Sequence, residues 1–245
     1  MKKTILITGA TDGIGLETAK MLASLGHDLI IHGRDSKKID AVKSQLRKLT
    51  NTAKIDSVVA DLSVIESVKI LATTIIEQFP KLDILINNAG VFKVPNTKNK
   101  NGLDVRFVVN TISPFYLTQL LAPHLGKTGR VINLSSAAQS PVNQQALLGK
   151  LILDDMQAYA QSKRAIRLWT KGLSLVDSNP TMIAVNPGSL LASKMVREGF
   201  GLAGNDIRIG AKILCSIALD EKMLTHNGEY FDNDIGRFSA DLAID

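Results

Sequence analysis

Tyr159 and Lys163 stand four residues apart in a stretch, 157–176, whose apolar residues recur at helical spacing. Four residues is about one turn, so a phenol and an ammonium share one face. A phenol titrates near pH 10 when unperturbed, too high to exchange protons easily at neutral pH. A neighbouring ammonium favours the phenolate and lowers that value. Such a pair can give a proton to a bound oxygen or take one away. It also arises easily by chance in a chain with 29 Lys and Arg, so its weight depends on its surroundings. The other tyrosines, Tyr116 and Tyr230, have Leu120 and Asp234 at the same spacing, and only Tyr159 qualifies.

A second pattern lies near the start. Gly9, Gly13 and Gly15 punctuate the loop Thr8-Gly9-Ala10-Thr11-Asp12-Gly13-Ile14-Gly15. The apolar run 4–7 before it reads as a buried strand, and residues 16–23 after it have helical spacing. Strand, glycine loop and helix form the context in which such a loop binds phosphate. The helix N-terminus offers unpaired N–H groups and a positive dipole end. Glycines let the backbone approach a pyrophosphate closely.

These residues need a scaffold, and the rest of the chain supplies one. Strands are expected at 28–32, 55–60, 82–87, 130–134 and 181–185, with a short last one at 229–231. Helices are expected at 36–49, opened by Asp35, and at 63–79, 103–125, 157–176 and 206–219. Pro114 interrupts the third of these. Residues 94–101 read as a surface loop, 140–155 as irregular, and 190–204, with glycines at 199, 201 and 204, as mobile. The alternation of strand and helix predicts an α/β fold: one Rossmann-type doubly wound parallel sheet with helices on both faces. The 245 residues, 45% hydrophobic, suffice for a single domain spanning 1–245. In such a sheet ligands bind at the carboxyl ends of strands. Four of these ends read Thr8-Gly9, Gly33-Arg34, Asp61-Leu62 and Asn87-Asn88-Ala89-Gly90, all polar or glycine-bearing.

The glycine loop, Asn87-Asn88-Ala89-Gly90, Asn110, Ser136, Tyr159-Ala160-Gln161-Ser162-Lys163 and Asn186-Pro187-Gly188 follow one another in a fixed order. In these motifs, over residues 4 to about 190, the chain resembles the short-chain dehydrogenase/reductase family. The resemblance implies hydride transfer between a nicotinamide cofactor and a carbonyl or alcohol. Tyr159 would be the general acid/base. Lys163 would lower its pKa, helped by cationic oxidised nicotinamide, and bond the nicotinamide ribose. Ser136, with Ser135 as the fallback, would polarise the reacting oxygen. Asn110 would hold a water linking Lys163 to solvent. Cofactor contacts would come from Gly9, Thr11, Asp12, Gly13, Ile14 and Gly15, then Arg34, Asp61 and Leu62. Further along they would come from Asn88, Ala89 and Gly90, from Tyr159 and Lys163, and from Pro187 and Gly188. Asp61 would meet the adenine, and Asn87 with Ala89-Gly90 the adenosine ribose.

The end of the second strand selects the cofactor. An acidic residue there would hold the ribose hydroxyl of NAD, and an arginine would accept the phosphate of NADP. Gly33 stands at the acidic position and Arg34 follows it, which favours NADP over NAD. Asp35, twenty residues after Gly15, is the rival and reads better as a helix cap. Asp12 counts against NADP, because NADP-preferring relatives often carry a basic residue there.

Ser136 and Tyr159 are 23 residues apart, longer than the family norm. The added stretch makes a substrate insert near 137–158 and resembles the retinol-dehydrogenase and carbonyl-reductase branch. Residues 189–204 would form the lid. Leu190, Leu191, Met195, Val196, Phe200 and Leu202 in it suggest an apolar alcohol, aldehyde or ketone substrate.

Two other functions remain in view: a non-catalytic NADP-sensing regulator, and a nucleotide-sugar epimerase or dehydratase. The tyrosine set argues against the first. The 57 residues after Gly188 argue against the second.

The net charge is +6, but the basic residues are dispersed and aromatics make up 4%, so no nucleic-acid surface is expected. His27, His32, His124 and His226 show no ligand spacing, and the one cysteine, Cys215, lies in an apolar run, so no metal is expected. No apolar run approaches membrane-spanning length, and the start reads as a strand, so a cytoplasmic protein without a membrane anchor is expected. Charges on the Tyr159 helix leave monomer and homodimer both open.

Overall fold

A computed structural model of the chain describes residues 1–239. Its strands are β1 (Thr4–Ile7), β2 (Asp28–Gly33), β3 (Ile55–Val59), β4 (Ile84–Asn87), β5 (Arg130–Leu134), β6 (Thr181–Asn186), β7 (Tyr230–Asp232) and β8 (Arg237–Ser239). They form one sheet in the order β3-β2-β1-β4-β5-β6-β7-β8. All pair in parallel except β8, which returns antiparallel on β7. The helices are α1 (Gly13–Ser24), α2 (Ser36–Arg47), α3 (Ile65–Gln78), α4 (Val105–Phe107), α5 (Ser113–Leu125), α6 (Gln144–Leu147), α7 (Asp155–Ser174), α8 (Lys194–Phe200) and α9 (Arg208–Leu219). A π-helical segment, Val108–Ile112, joins α4 to α5.

Successive side chains in a strand point to opposite faces. Ile5, Ile7, Ile31, Ile86, Ile132 and Ile183 pack with α1, α2 and α9 on one face. Leu6, Ile30, Leu85, Val131 and Met182 pack with α3 and α5 on the other. A sheet covered on both sides explains strands that are almost wholly apolar. The chain leaves β1 toward β2 and β3, then crosses back to place β4 on the other side of β1. Strand order reverses between β1 and β4, and that crevice is where such sheets bind ligands.

Four polar side chains tie the second face together. Asn87 and Asn133 lie side by side on β4 and β5. Asn87 Nδ2 donates to Asn133 Oδ1 at 2.8 Å and to Thr118 Oγ1 of α5 at 3.0 Å. Asn133 Nδ2 donates to Thr170 Oγ1 of α7 at 3.0 Å. All four residues are buried, so the chain of bonds holds α5 and α7 against adjacent strand ends. Asn87 is therefore turned into the core and not toward a ribose, against expectation.

Several elements differ from the sequence reading. The helix expected over 103–125 breaks into α4, the π segment and α5. Pro114 has no N–H to give to the Asn110 carbonyl, and the Ser113 amide bonds Val108 O instead, five residues back. Pro114 itself sits in the first turn of α5, where a missing donor is harmless. Helix α3 starts at Ile65, two residues later than expected, after a turn in which Asp61 accepts from the Ser63 amide at 2.9 Å. The irregular stretch 140–155 contains α6, capped by Asn143. The lid stretch contains α8, capped by Ser193. Gly199 and Gly204 are needed there for close packing, since a Cβ would come within 2.7 Å of Phe92 and of Ala192 respectively. β8 escaped notice because three residues carry no readable period. Asp35 caps α2 as expected, accepting from Lys38 at 3.2 Å.

Asn133→Ala strips the Asn87 amide and Thr170 of a partner within the core. It should lower the unfolding free energy by about 1–3 kcal/mol, as expected for orphaned buried polar groups. Urea denaturation reads this directly, and an unchanged midpoint would show that the network adds nothing to stability.

Candidate active site

The glycine loop runs from β1 into α1 along the crevice. Gly9 and Gly13 have φ of 64° and 60°, a region that side chains disfavour. A Cβ on Gly9 would lie 2.9 Å from the Ala89 Cα, and one on Gly15 would overlap the Asn88 amide. The loop is thus pressed against the end of β4. Asn88 Nδ2 donates to Thr8 O and Gly9 O at 2.8 and 3.0 Å. Thr8 Oγ1 accepts from the Asn88 and Ala89 amides. Asn88 therefore shapes the loop with its side chain, while Ala89 and Gly90 bring bare backbone beside it.

His32 completes the cradle, and sequence reasoning missed it. Its Nδ1 accepts from the Gly9 amide at 3.3 Å, and its Nε2 pairs with Ala60 O at 3.1 Å. Burial pushes its pKa down to about 4, so the ring is neutral. The two bonds then require the tautomer with the proton on Nε2. A polar residue inside an apolar strand was the available signal.

Asp12 is exposed and caps α1 by accepting from the Gly13 amide at 2.7 Å. Ile14 packs on the core beside the loop. Thr11 lies over Gly33, where a Cβ would meet Thr11 Cγ2 at 2.7 Å. Arg34 is exposed and makes no ion pair among the described residues. Asp61 stands at the end of the β3 crossover, but the Leu62 side chain is buried in the core and its carbonyl accepts from Ser113 Oγ at 2.6 Å. Pro187 is buried after β6, and Gly188 turns the chain with φ 123°.

The Tyr159 face of α7 closes on the ends of β4 and β5. Lys163 is 4% exposed, and its Nζ donates to Leu134 O at 2.8 Å. The ammonium lies 5.6 Å from the Tyr159 ring centroid. The two serines separate in role. Ser135 Oγ is buried and donates to Lys163 O at 2.7 Å, which pins α7 to the strand. Ser136 stays part-exposed, and its hydroxyl acts on the Tyr159 phenol to favour the phenolate. Tyr230, also unforeseen, donates its hydroxyl to Ser136 O at 3.0 Å and fixes that peptide.

Asn110 sits in the π segment. Its Oδ1 accepts from the Val91 amide at 2.7 Å, and its Nδ2 donates to Val91 O and Ser162 Oγ at 2.9 Å each. The side chain links the loop after Gly90 to α7. A Cβ on Gly90 would lie 3.4 Å from both Asn110 Oδ1 and Lys163 Nζ, so glycine keeps this approach open. Phe92, another residue not singled out earlier, meets the Tyr159 ring edge to face at 5.3 Å. Gly199 of α8 packs on the far side of Phe92. The described part of the lid thus reaches the tyrosine through one aromatic ring. The Phe200 side chain lies outside the described residues.

The lid springs from a polar knot. Asp234 accepts from the Ser189 amide and Asn186 Nδ2, both at 2.8 Å, and from Ser189 Oγ. Trp169 packs edge-on against Phe115 and donates to Thr111 Oγ1 at 3.0 Å, in keeping with a packing role. Among the described residues no three His, Cys, Asp or Glu gather as a metal would require, and no helix is long and apolar enough to cross a membrane.

The electrostatics correct one expectation. The phenol of Tyr159 is raised above its ordinary value. Burial, which opposes the phenolate, outweighs the lowering by Ser136. The Lys163 ammonium does not reverse this, because burial pushes its own pKa down to about 7. Lys163 is buried and Tyr159 part-exposed beside it, and each resists its charged form.

Comparison with known proteins matches this geometry to a described family. Residues 3–199 match the profile of the short chain dehydrogenases. Human retinol dehydrogenase 13 is 33% identical over 258 residues, covering 94% of this chain and 76% of that protein. A short chain dehydrogenase from Shigella flexneri, solved with NADP, superposes with a TM-score of 0.75 at 26% identity, over 95% of this chain and 97% of that one. One from Burkholderia cenocepacia, also solved with NADP, gives 0.75 at 27% identity, over 94% and 95%.

The lowered pKa of Lys163 has a consequence for stability. Its folded value near 7 lies below its unfolded value of about 10.4. Between these the unfolded chain binds one more proton than the folded one, so this group's contribution to stability rises with pH. Below about pH 7 both states are protonated, and the folded state carries the full burial penalty. Relative to Lys163→Met, the wild type without cofactor should gain stability as pH rises from 7 to 9. Parallel denaturation curves across that range would refute the shift.

Proposed function

The chain belongs to the short-chain dehydrogenase family of oxidoreductases, in its retinol-dehydrogenase-like branch, and from that premise we propose that it uses NADPH to reduce apolar aldehydes or ketones, with Tyr159 as proton donor. The observation that carries this reading is the convergence of Ser136, Tyr159 and Lys163 at the mouth of a glycine-lined crevice.

The residues present fit a dinucleotide. Gly9, Gly13 and Gly15 keep side chains out of the way at the start of α1, where a pyrophosphate is favoured. The buried Lys163 makes one hydrogen bond among the described residues, to Leu134 O, leaving donors for ribose hydroxyls. Gly33 and the unpaired Arg34 suit a ribose phosphate. The NADP seen in the two solved relatives supports the same choice. Asp12, engaged in capping α1, has its charge partly balanced there.

When bound, reduced NADP supplies the hydride that adds to the carbonyl carbon. The chain's own part is the proton. A phenol raised by burial is protonated at neutral pH and ready to donate. As the carbonyl π bond breaks, the Tyr159 hydroxyl gives its proton to the oxygen. Ser136, held by Tyr230 through its carbonyl, donates a hydrogen bond to the same atom. The phenolate left behind is stabilised by the Lys163 ammonium nearby. A protonated resting tyrosine is the form that reduction requires.

The test is NADPH oxidation over a panel of apolar aldehydes, ketones and quinones. Tyr159→Phe should keep NADPH affinity within about twofold and lose about 100-fold or more in kcat, the span of general acid catalysis. A variant turning over near the wild-type rate would refute the assignment. Tight NADPH binding by the wild type with no turnover on any carbonyl would favour a cofactor-sensing regulator. In the same assay kcat/KM should be higher with NADPH than with NADH, and a clear NADH preference would overturn the reading of Gly33 and Arg34.

A further inference from the structure

Arg106 is fully buried at the head of the segment that carries Asn110, and the reaction above does not use it. Its Nε and Nη2 donate to Asp104 Oδ1 and Oδ2 at 2.9 and 2.6 Å, and its Nη1 donates to Asp155 Oδ1. Asp104 also accepts from the Arg106 amide at 2.8 Å. A buried guanidinium needs compensating partners, and two carboxylates engage Nε and both Nη atoms here. Hydrogen bonding and charge from Asp104, then Asp155, hold its pKa above the ordinary value.

The placement of this contact gives it meaning. Asp155 opens α7, and Tyr159 and Lys163 follow it by four and eight residues, on the same face. Arg106 precedes Asn110 by four. The two helices meet first at Arg106 and Asp155, then through the apolar pair Phe107 and Ala158, then where Asn110 Nδ2 donates to Ser162 Oγ at 2.9 Å. One contact would leave the helices free to pivot, and a second fixes the angle between them. Asp155 is also where the insert 137–158 runs into α7. That insert is seated against the same loop, since a Cβ on Gly149 would lie 2.6 Å from Gly102 O.

We propose that Arg106 is a positioning residue: by gripping Asp155 it sets where the Tyr159 hydroxyl and the Lys163 ammonium stand relative to the Asn110 segment. The contact closes the outer end of a seam whose inner end is the proton-transfer site. A carboxylate in the first turn of α7 also suits the positive end of its dipole, so the grip and the helix start reinforce each other.

The activity arm of the test rests on the reductase reading, and a second arm does not. Arg106→Met, Arg106→Lys and Asp155→Asn are compared with wild type for kcat, for NADPH affinity by quenching of Trp169, and for thermal unfolding. Arg106→Met and Asp155→Asn should lose about tenfold or more in kcat while NADPH affinity holds within about twofold, because misplaced groups weaken chemistry more than binding. Arg106→Lys should fall between, since an ammonium can hold one carboxylate but not fork across two. If Arg106→Met fails to fold, Asp155→Asn decides, because Asp155 is half exposed and loses only its charge. Unchanged kcat in a folded variant overturns the proposal. So does a loss of kcat and NADPH affinity in step with the fall in Tm.

The second arm is amide hydrogen exchange. Asp155→Asn should speed exchange in the first two turns of α7 and at the Val91 amide, with the glycine loop unchanged. No local change there overturns the proposal. A wild type that reduces no carbonyl, yet shows this local change in the variant, removes the reductase reading and keeps the clamp.

Discussion

A lysine ammonium sealed beneath the end of a parallel sheet is the constraint on which the rest depends. Lys163 gives up water and receives one carbonyl, that of Leu134, in exchange. Desolvation on this scale is unfavourable unless the surroundings are rigid and correctly aimed. Much of the second layer serves that end. Ser135 bonds the Lys163 carbonyl, Thr170 bonds Asn133, and Asn133 bonds Asn87 across the strands. Helix α7 is therefore tied to β5 and its end at two levels, and through Asn133 to β4. The phenol one turn away is part-exposed beside it and holds its proton. The two groups form a unit whose charge state depends on what binds between them.

The opposite half of the crevice is built from backbone instead of side-chain charge. His32, Asn88 and Thr8 brace the glycine loop from three strands and fix the path of its backbone. The neutral ring of His32 suits this task, because a protonated imidazole could not accept from the Gly9 amide. Between the halves, Phe92 and Gly199 bring the lid within one ring of Tyr159, and the knot of Asn186, Ser189 and Asp234 holds the lid at its root. The lid side of the crevice is thus an apolar wall and the glycine-loop side a polar crest.

Much of this was legible in the sequence wherever the signal was local. The apolar runs of β1, β2, β4, β5 and β6, the glycine loop and the cap at Asp35 each declare themselves within a few residues. The Tyr159 and Lys163 spacing is likewise local. What escaped depends on partners distant along the chain. Arg106 reads as one more basic residue until Asp155 arrives from 49 positions away. His32 looks idle until Gly9 and Ala60 flank it. Asn87 was assigned to a ribose, but the register of β4 on β5 turns it inward to Asn133. The π segment is a consequence of Pro114 acting on the turn before it, where sequence periodicity carries no mark. The upward shift of the Tyr159 phenol could not be read from an i,i+4 lysine, because burial outweighs the neighbouring charge.

The contact between Thr11 and Gly33 also bears on how this chain could change over generations. Any side chain at position 33 would run into the Thr11 methyl, which sits 2.7 Å from where its first carbon would stand. An acidic residue there could approach a ribose only if the Thr11 side chain turned away or position 11 became smaller. A change of charge at the end of β2 therefore draws the glycine loop in with it, and the two positions cannot vary as if they were independent.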